Sequence, residues 1–180
     1  MKCICGIDSG FTGGITFLEK DTGNILSCDL PPIEEYFLAD GKTKRRRLDI
    51  MAFLKLLNDF NPISVAIEKL NDRPNQGGMF NFGKMYGEYS AIIQTQGYKF
   101  VEIPPQTWKR ALVGTFPKGT LVADKKKAAI EKAKELQPSF QFKDPSFVPT
   151  KRTKVAKDHD GLAESYLIAE YHRRCLIESL

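Results

Sequence analysis

The alternation of apolar and polar positions at the start of the chain predicts three short β-strands. Side chains recur there with the period of two that is typical of a strand, and a Ser-Gly-Phe-Thr-Gly turn and an Asp-Thr-Gly-Asn turn separate the apolar runs. Pro31 and Pro32 then end this first part of the sheet. The predicted strands cover residues 4–8, 14–18 and 25–28.

From Asp49 onwards the hydrophobic period changes and predicts helices that alternate with two further strands. Asp49 is suited to cap a helix that Asn61-Pro62 stops, and the continuous apolar run 63–67 predicts a central strand that ends in Glu68. The remaining predicted elements are a glycine-rich loop over 71–83, a helix over about 84–96, a strand over 98–103, a short helix from Pro104, a basic helix capped by Asp124, and a last helix over about 160–176.

This order of elements predicts an α/β fold. A meander of three strands followed by strand–helix units implies a mixed five-stranded sheet with helices on both faces. No repeat, low-complexity segment or linker interrupts the sequence, so residues 1–180 are expected to form a single domain. This order resembles that of the RNase H-like fold.

Four carboxylates occur where burial makes them costly. Asp8 lies within an apolar strand, and Glu68 directly ends the central strand. Asp160 and Glu164 are four residues apart, so both project from one face of the last helix, which continues as an apolar stripe. Either strand residue alone could serve as a cap or a salt bridge. Two carboxylates at the head of a core-facing stripe, however, must point towards the sheet that carries Asp8 and Glu68.

Carboxylates clustered in this way repel one another unless cations join them. Oxygen ligands of this kind suit Mg²⁺ or Mn²⁺, and two such ions can clamp the attacking and leaving oxygens of a phosphodiester. The four residues therefore predict a two-metal hydrolytic site that uses Mg²⁺, with Mn²⁺ able to substitute.

The charge of the chain favours a polyanionic partner. The net charge is +5 and the sequence pI is about 9.0. Each basic block alone could be a solvated loop or helix start, but three blocks in so short a chain favour phosphate contact. The blocks are Lys42 with 44–47, then 125–127, and then Lys151, Arg152, Lys154 and Lys157.

Other composition features bear on location. No apolar run approaches the roughly 20 residues of a membrane span, and the first residues lack a signal-peptide layout. The four cysteines have no zinc-binding spacing and are expected to be reduced. These features predict a cytoplasmic protein without a membrane partner.

Three motifs, taken in order, carry a resemblance to a known family. The chain opens with Gly-Ile-Asp-Ser-Gly-Phe-Thr-Gly-Gly at 6–14, continues with Val-Ala-Ile-Glu-Lys at 65–69, and closes with Lys-Asp-His-Asp-Gly-Leu-Ala-Glu-Ser at 157–165. This set resembles the Holliday-junction resolvases of the RuvC type. The stretches 77–83 and 105–109 are similar to the phage or viral branch of that family.

The resemblance implies roles for individual residues. Asp8, Glu68, Asp160 and Glu164 would be the catalytic ligands of two Mg²⁺ ions. The closing motif departs from the bacterial pattern of two aspartates three apart, because Lys157 stands three before Asp160. That departure leaves open whether Asp158 or His159 joins the site or only caps the helix. Candidate DNA contacts are Phe80, Phe82, Lys84, Lys109, Lys151, Arg152 and Lys154, whereas Trp108 is expected in the core.

The implied activity is resolution of four-way DNA by a homodimer, and the resemblance leaves open whether other branched DNA is also a substrate. We expect the helix over 84–96 at the dimer contact, although a helix packed within its own domain would show the same pattern. Its apolar positions are Met85, Tyr86, Tyr89, Ile92 and Ile93. A nuclease acting on RNA or RNA–DNA hybrids shares the same chemistry. Two further alternatives fit less well. An actin-like ATP-binding domain needs a second phosphate loop, which this sequence does not contain. A DNA-binding scaffold without catalytic activity would not explain the four carboxylates.

Overall fold

The computed structural model describes residues 2–70, 79–150, 153 and 155–178. Within these ranges the strands are β1 (Cys3–Asp8), β2 (Gly14–Glu19), β3 (Ile25–Asp29), β4 (Ile33–Phe37), β5 (Lys44–Leu48), β6 (Ser64–Glu68) and β7 (Phe100–Ile103). The helices are α1 (Ile50–Phe60), α2 (Met79–Thr95), α3 (Pro105–Leu112), α4 (Val122–Leu136) and α5 (Asp160–Glu178).

The main sheet confirms the predicted fold class. Its five strands have the order β3-β2-β1-β6-β7; β1, β2 and β3 pair antiparallel, whereas β1, β6 and β7 pair parallel. A right-handed crossover through a helix is the usual route between parallel neighbours, and α1 and α2 stand in those positions of the chain.

The strand period of two divides the core between the faces of the sheet. Cys3, Cys5 and Ile7 of β1 face α1 and α2, while Ile4 faces the layer formed by α3, α4 and α5. Gly6 and Asp8 share the face of Ile4. The face that carries Asp8 is therefore the one on which α5 lies.

Helix α5 lies directly against the backbone of β1. A Cβ atom at Gly6 would stand 2.4 Å from the Ala169 nitrogen and 2.5 Å from the Ser165 carbonyl oxygen. The contact repeats at the next strand, where Thr16 Oγ1 and Ser165 Oγ are hydrogen-bonded at 2.8 Å. Glycine at position 6 thus permits the close approach that fixes the position of α5.

The apolar stripe of α2 packs within the chain's own core. Met85, Tyr89 and Ile93 are fully buried against α1 and the sheet. These three residues thus pack within their own domain, whereas Tyr86 and Ile92 are only partly buried, and the dimer contact expected at this helix stays a prediction. Burial leaves Met85, Tyr89 and Ile93 unable to reach a second copy without unfolding this layer.

Two helix starts differ from the predicted ones. Helix α2 begins at Met79, so Phe80 and Phe82 lie on a helix and not in a loop, although residues 71–78 fall outside the described ranges. Helix α4 begins at Val122 after Leu121, which places Asp124 in the first turn and not at the cap. Asp49 does cap α1, since its side chain accepts a hydrogen bond from the Ala52 nitrogen.

Across the described residues, no helix is long and apolar enough to cross a bilayer.

The strands β4 and β5 form a separate two-stranded ribbon that the hydrophobic pattern did not predict. The second strand is the basic block 44–47 followed by Leu48. Leu48 is fully buried and Ile33 packs against the same core, whereas the other strand positions, 34–37 and 44–47, are charged or aromatic. A ribbon with so few core-facing residues gives almost no hydrophobic alternation in the sequence.

Candidate active site

Four acidic side chains come together at one end of the sheet. Asp8 and Glu68 are the last residues of β1 and β6, which run parallel with Ile7 opposite Ile67, so their backbones are about 4.8 Å apart. Asp160 and Glu164 lie in the first turns of α5 on the same side of the sheet. All four line a single open cavity of about 470 Å³.

The cavity is electrostatically unfavourable for carboxylates alone. Burial raises the pKa of Asp8 well above its usual range, and the neighbouring Glu164 and Glu68 raise it further. Lys109 opposes this shift, while Asp160 adds to it. The four acids are thus close enough to repel one another, as the sequence predicts for a cation-binding cluster.

A different carboxylate on α5 shows what a purely structural acid looks like in this protein. Glu170 is 4% exposed and accepts hydrogen bonds from Arg173 at 2.7 and 3.0 Å and from Arg174 at 2.7 Å. Two guanidinium groups thus neutralise one buried charge. Asp8 lies among three other carboxylates, an arrangement that favours a functional role.

Two lysines enter the acidic cluster. Lys109 on α3 lies 2.9 Å from Glu164, and Lys126 on α4 forms an ion pair with Asp160. The hydrogen bond to Asp160 raises the pKa of Lys126, so this ammonium group is held charged. Lys126 belongs to a basic block that the sequence analysis identified, but its place at the site depends on how α4 packs against α5.

The oxygen donors match the preferences of Mg²⁺ and Mn²⁺. Mutual repulsion among the carboxylates gives a physical reason for a divalent ion to bind. In the described ranges, no three Asp, Glu, His or Cys side chains form a ready-made metal cage. Two of the four carboxylates are turned instead towards the lysines. The chemistry of the four donors suits divalent cations, which would have to displace Lys109 from Glu164 and Lys126 from Asp160.

Trp108 supports the site from the core. Its side chain is fully buried, as predicted, and its indole N–H donates a 2.8 Å hydrogen bond to Glu68 Oε2. Helix α3 starts at Pro105 just after β7, and this start brings both Trp108 and Lys109 against the carboxyl end of β6. The indole orients the Glu68 carboxylate, a role that the sequence analysis did not predict.

The two residues left open in the closing motif lie beside the site and not in it. His159 caps α5, since its Nδ1 accepts a 3.3 Å hydrogen bond from the Leu162 nitrogen and its carbonyl accepts from Ala163. Asp158 pairs with Lys134 at 2.6 Å. Neither side chain lines the acidic cavity.

The predicted DNA contacts have different positions. Phe82 and Lys109 line the acidic cavity, and Phe80 is 83% exposed nearby on α2. Lys84 lies 3.7 Å from Glu88, with its ammonium group 5.3 Å from the Tyr36 ring centre. The remaining predicted contacts, Lys151, Arg152 and Lys154, lie outside the described residues.

Comparisons with known proteins bear on the fold. No family model and no curated protein matches the sequence. Among solved structures, Thermus thermophilus RuvC bound to a Holliday-junction substrate matches with a TM-score of 0.56 at 14% identity, covering 98% of this chain and 96% of that chain.

A second structure of RuvC from Thermus thermophilus matches with a TM-score of 0.52 at 18% identity, with 96% of each chain covered. The yeast mitochondrial Holliday-junction resolvase matches with a TM-score of 0.52 at 15% identity, covering 99% of this chain and 85% of that chain. The chain therefore has the fold of the RuvC-type resolvases.

Proposed function

We propose that this chain is a Mg²⁺-dependent endonuclease that resolves four-way DNA junctions. One observation carries the proposal: four carboxylates, from two adjacent strand ends and one helix, line the same open cavity with Lys109 and Lys126. Acids supply the ligands of divalent ions, and a cationic rim attracts a polyanion. Both are needed to hydrolyse a phosphodiester.

Asp8, Glu68, Asp160 and Glu164 would hold the two ions. When bound there, the ions supply Lewis acidity towards the phosphate and the attacking water. Mn²⁺ has similar ligand preferences and would substitute.

The other residues of the cavity have separate tasks. Trp108 keeps the Glu68 carboxylate oriented through its 2.8 Å hydrogen bond. Lys109 and Lys126, freed from Glu164 and Asp160 when cations bind, would turn to the phosphate oxygens of the substrate. Phe82 gives the cavity an apolar wall next to Gly10, where a Cβ atom would stand 3.4 Å from its ring.

The choice of a branched substrate rests on the fold and on the motifs together. The resolvases that share this fold include RuvC in complex with a Holliday junction. The opening, central and closing motifs resemble the same family over nearly the whole sequence. We propose a homodimer as the active form, because two strands of a four-way junction must be cut symmetrically.

A cleavage panel tests this function. The chain is incubated with Mg²⁺ and with four-way, three-way, RNA–DNA hybrid or linear duplex substrates of matched sequence. We expect preferred cutting of the four-way junction and no cutting in excess chelator. Preferred cutting of the hybrid would identify a hybrid nuclease with the same metal chemistry, and cutting that persists in chelator would refute the metal mechanism.

A matched pair of variants tests the residue assignment. Glu164→Gln removes a proposed ligand, whereas Asp158→Asn alters an acid that pairs with Lys134 outside the acidic cavity. We expect the first variant to be as inactive as Asp8→Asn while still binding the junction, and the second to retain activity. An inactive Asp158→Asn beside an active Glu164→Gln would mean that the ligands on this helix are wrongly assigned.

A further inference from the structure

We propose that the β4–β5 ribbon is a second nucleic-acid contact surface, which grips the phosphate backbone of a DNA arm that leaves the active-site cavity. The inference rests on the proposed nuclease function and adds a substrate-binding element to it. The ribbon comprises residues 33–48, with Arg45 and Arg46 at its centre.

The ribbon carries an excess of positive charge that its own acids do not neutralise. Lys44 pairs with Glu35 and Arg47 pairs with Glu34 at 2.7 Å. Both Arg45 and Arg46 are exposed, and no carboxylate of the described residues forms an ion pair with either. Because successive side chains of a strand point to opposite faces, these two cations are presented on both sides of the ribbon.

The ribbon continues directly from the rim of the active site. The Arg46 guanidinium lies 4.8 Å from the centre of the Phe11 ring, and Phe11 lines the cavity that holds the four carboxylates. A polyanion seated over the cavity would therefore meet Arg46 next along its path. Phe37, 61% exposed near the tip, adds an aromatic surface to this cationic strip.

The ribbon is held in place before any partner binds. Leu48 is buried in the core at its base, and the Leu48 nitrogen donates a 3.3 Å hydrogen bond to Glu88 on α2. At the tip, Asp40 Oδ1 accepts hydrogen bonds from the Lys42 and Thr43 nitrogens at 2.9 and 2.8 Å. Binding to such a preordered arm costs little conformational entropy.

Charge complementarity selects nucleic acid as the occupant. Exposed guanidinium groups that form no ion pair within the described residues suit phosphates, which arginine can contact with two hydrogen bonds. Each phosphate contact releases counterions and adds about 0.9 to the slope of log affinity against log salt. Through counterion release, two contacts therefore raise the binding affinity at 0.15 M salt by about thirty-fold relative to 1 M salt.

The test compares two double variants of the full chain. Arg45→Gln/Arg46→Gln removes two exposed cations of the ribbon, neither of which is ion-paired within the described residues. The control, Lys2→Gln/Lys99→Gln, removes two exposed cations just before β1 and β7, at the opposite end of these strands from Asp8 and Glu68. Binding to a four-way junction and to linear duplex is measured in Ca²⁺ from 0.05 to 0.3 M salt, and thermal unfolding verifies that each variant is folded.

We expect the ribbon variant to bind about thirty-fold more weakly at 0.15 M salt, with a salt slope reduced by up to about 1.8, and the control to match wild type. A ribbon variant that equals the control overturns the inference. So does a change of sedimentation mass without loss of DNA affinity, which would make the ribbon a contact between copies.

Failure of the proposed function gives a different result. If wild type prefers linear duplex or hybrid to the junction, the junction substrate is wrong, and the same variant comparison on the preferred nucleic acid still decides the role of the ribbon. If wild type binds no nucleic acid, both proposals are refuted.

Discussion

Replacing Gly6 by alanine tests whether the close contact between β1 and α5 builds the site. The new Cβ would stand 2.4 Å from the Ala169 nitrogen and 2.7 Å from its Cα. Ordinary contact needs about 3.5 Å, so α5 must retreat by roughly 1 Å. Overpacking of this kind costs 1–3 kcal/mol, and we expect about 3 kcal/mol because helix backbone cannot rotate away as a side chain can.

The same retreat should weaken cleavage, since α5 carries Asp160 and Glu164. A misplacement of 1 Å can cost about a hundred-fold in rate. Urea denaturation gives the loss of stability, and junction cleavage by the folded variant gives the loss of rate.

Gly87→Ala is the matched control. Gly87 lies exposed within α2 and a Cβ there meets nothing within 4 Å, so alanine should stabilise the protein by about 0.5–1 kcal/mol and leave cleavage unchanged. A Gly6→Ala protein within about 0.5 kcal/mol of wild type, with normal cleavage, would refute the idea that this contact holds α5 in place.

Three further predictions concern the core and the metal. Trp108→Phe removes the indole N–H that orients Glu68, and calorimetric titration with Mn²⁺ should show metal affinity reduced by about 10- to 100-fold; unchanged affinity would contradict the positioning role. Burial lowers the pKa of His172 from 6.5 to about 4, so its neutral form is favoured by folding. The contribution of His172 to the free energy of unfolding is therefore complete above pH 6.5 and should fall by about 3 kcal/mol as the pH drops to 4. Urea denaturation measures this pH dependence, which His172→Gln should reduce. Saturating Mg²⁺ should raise the midpoint of thermal unfolding, with about 2.7 kcal/mol of stabilisation at a hundred times Kd, and Asp8→Asn should abolish this shift; an equal shift in the variant would place the metal elsewhere.

The sequence was sufficient to predict those strands and helices whose buried residues recur with a regular spacing. Strands β1, β2, β3 and β6, together with helix α5, follow from apolar spacing, and each is confirmed. The convergence of the four acids follows from the same logic, because strand period and helix spacing together determine which face each carboxylate occupies.

The remaining features depend on contacts between distant parts of the chain. The β4–β5 ribbon has only its base in the core, so hydrophobic period could not predict it. Lys126 reaches Asp160 only because α4 packs beside α5, and the hydrogen bond from Trp108 to Glu68 depends on how α3 follows β7. Such pairings have no local signature in the sequence.

The docking of α5 onto β1 has a consequence for the nascent protein. The contact joins the first described strand to the last described helix. The stretch of chain between them is long, so this contact forms late in folding. Until it forms, Asp8 and Glu68 lack the carboxylates of α5. During synthesis the emerging chain therefore has only half of the proposed metal ligands, and the hydrolytic site would arise together with the completed core. The topology of the fold would therefore delay the proposed hydrolytic activity until the protein is folded.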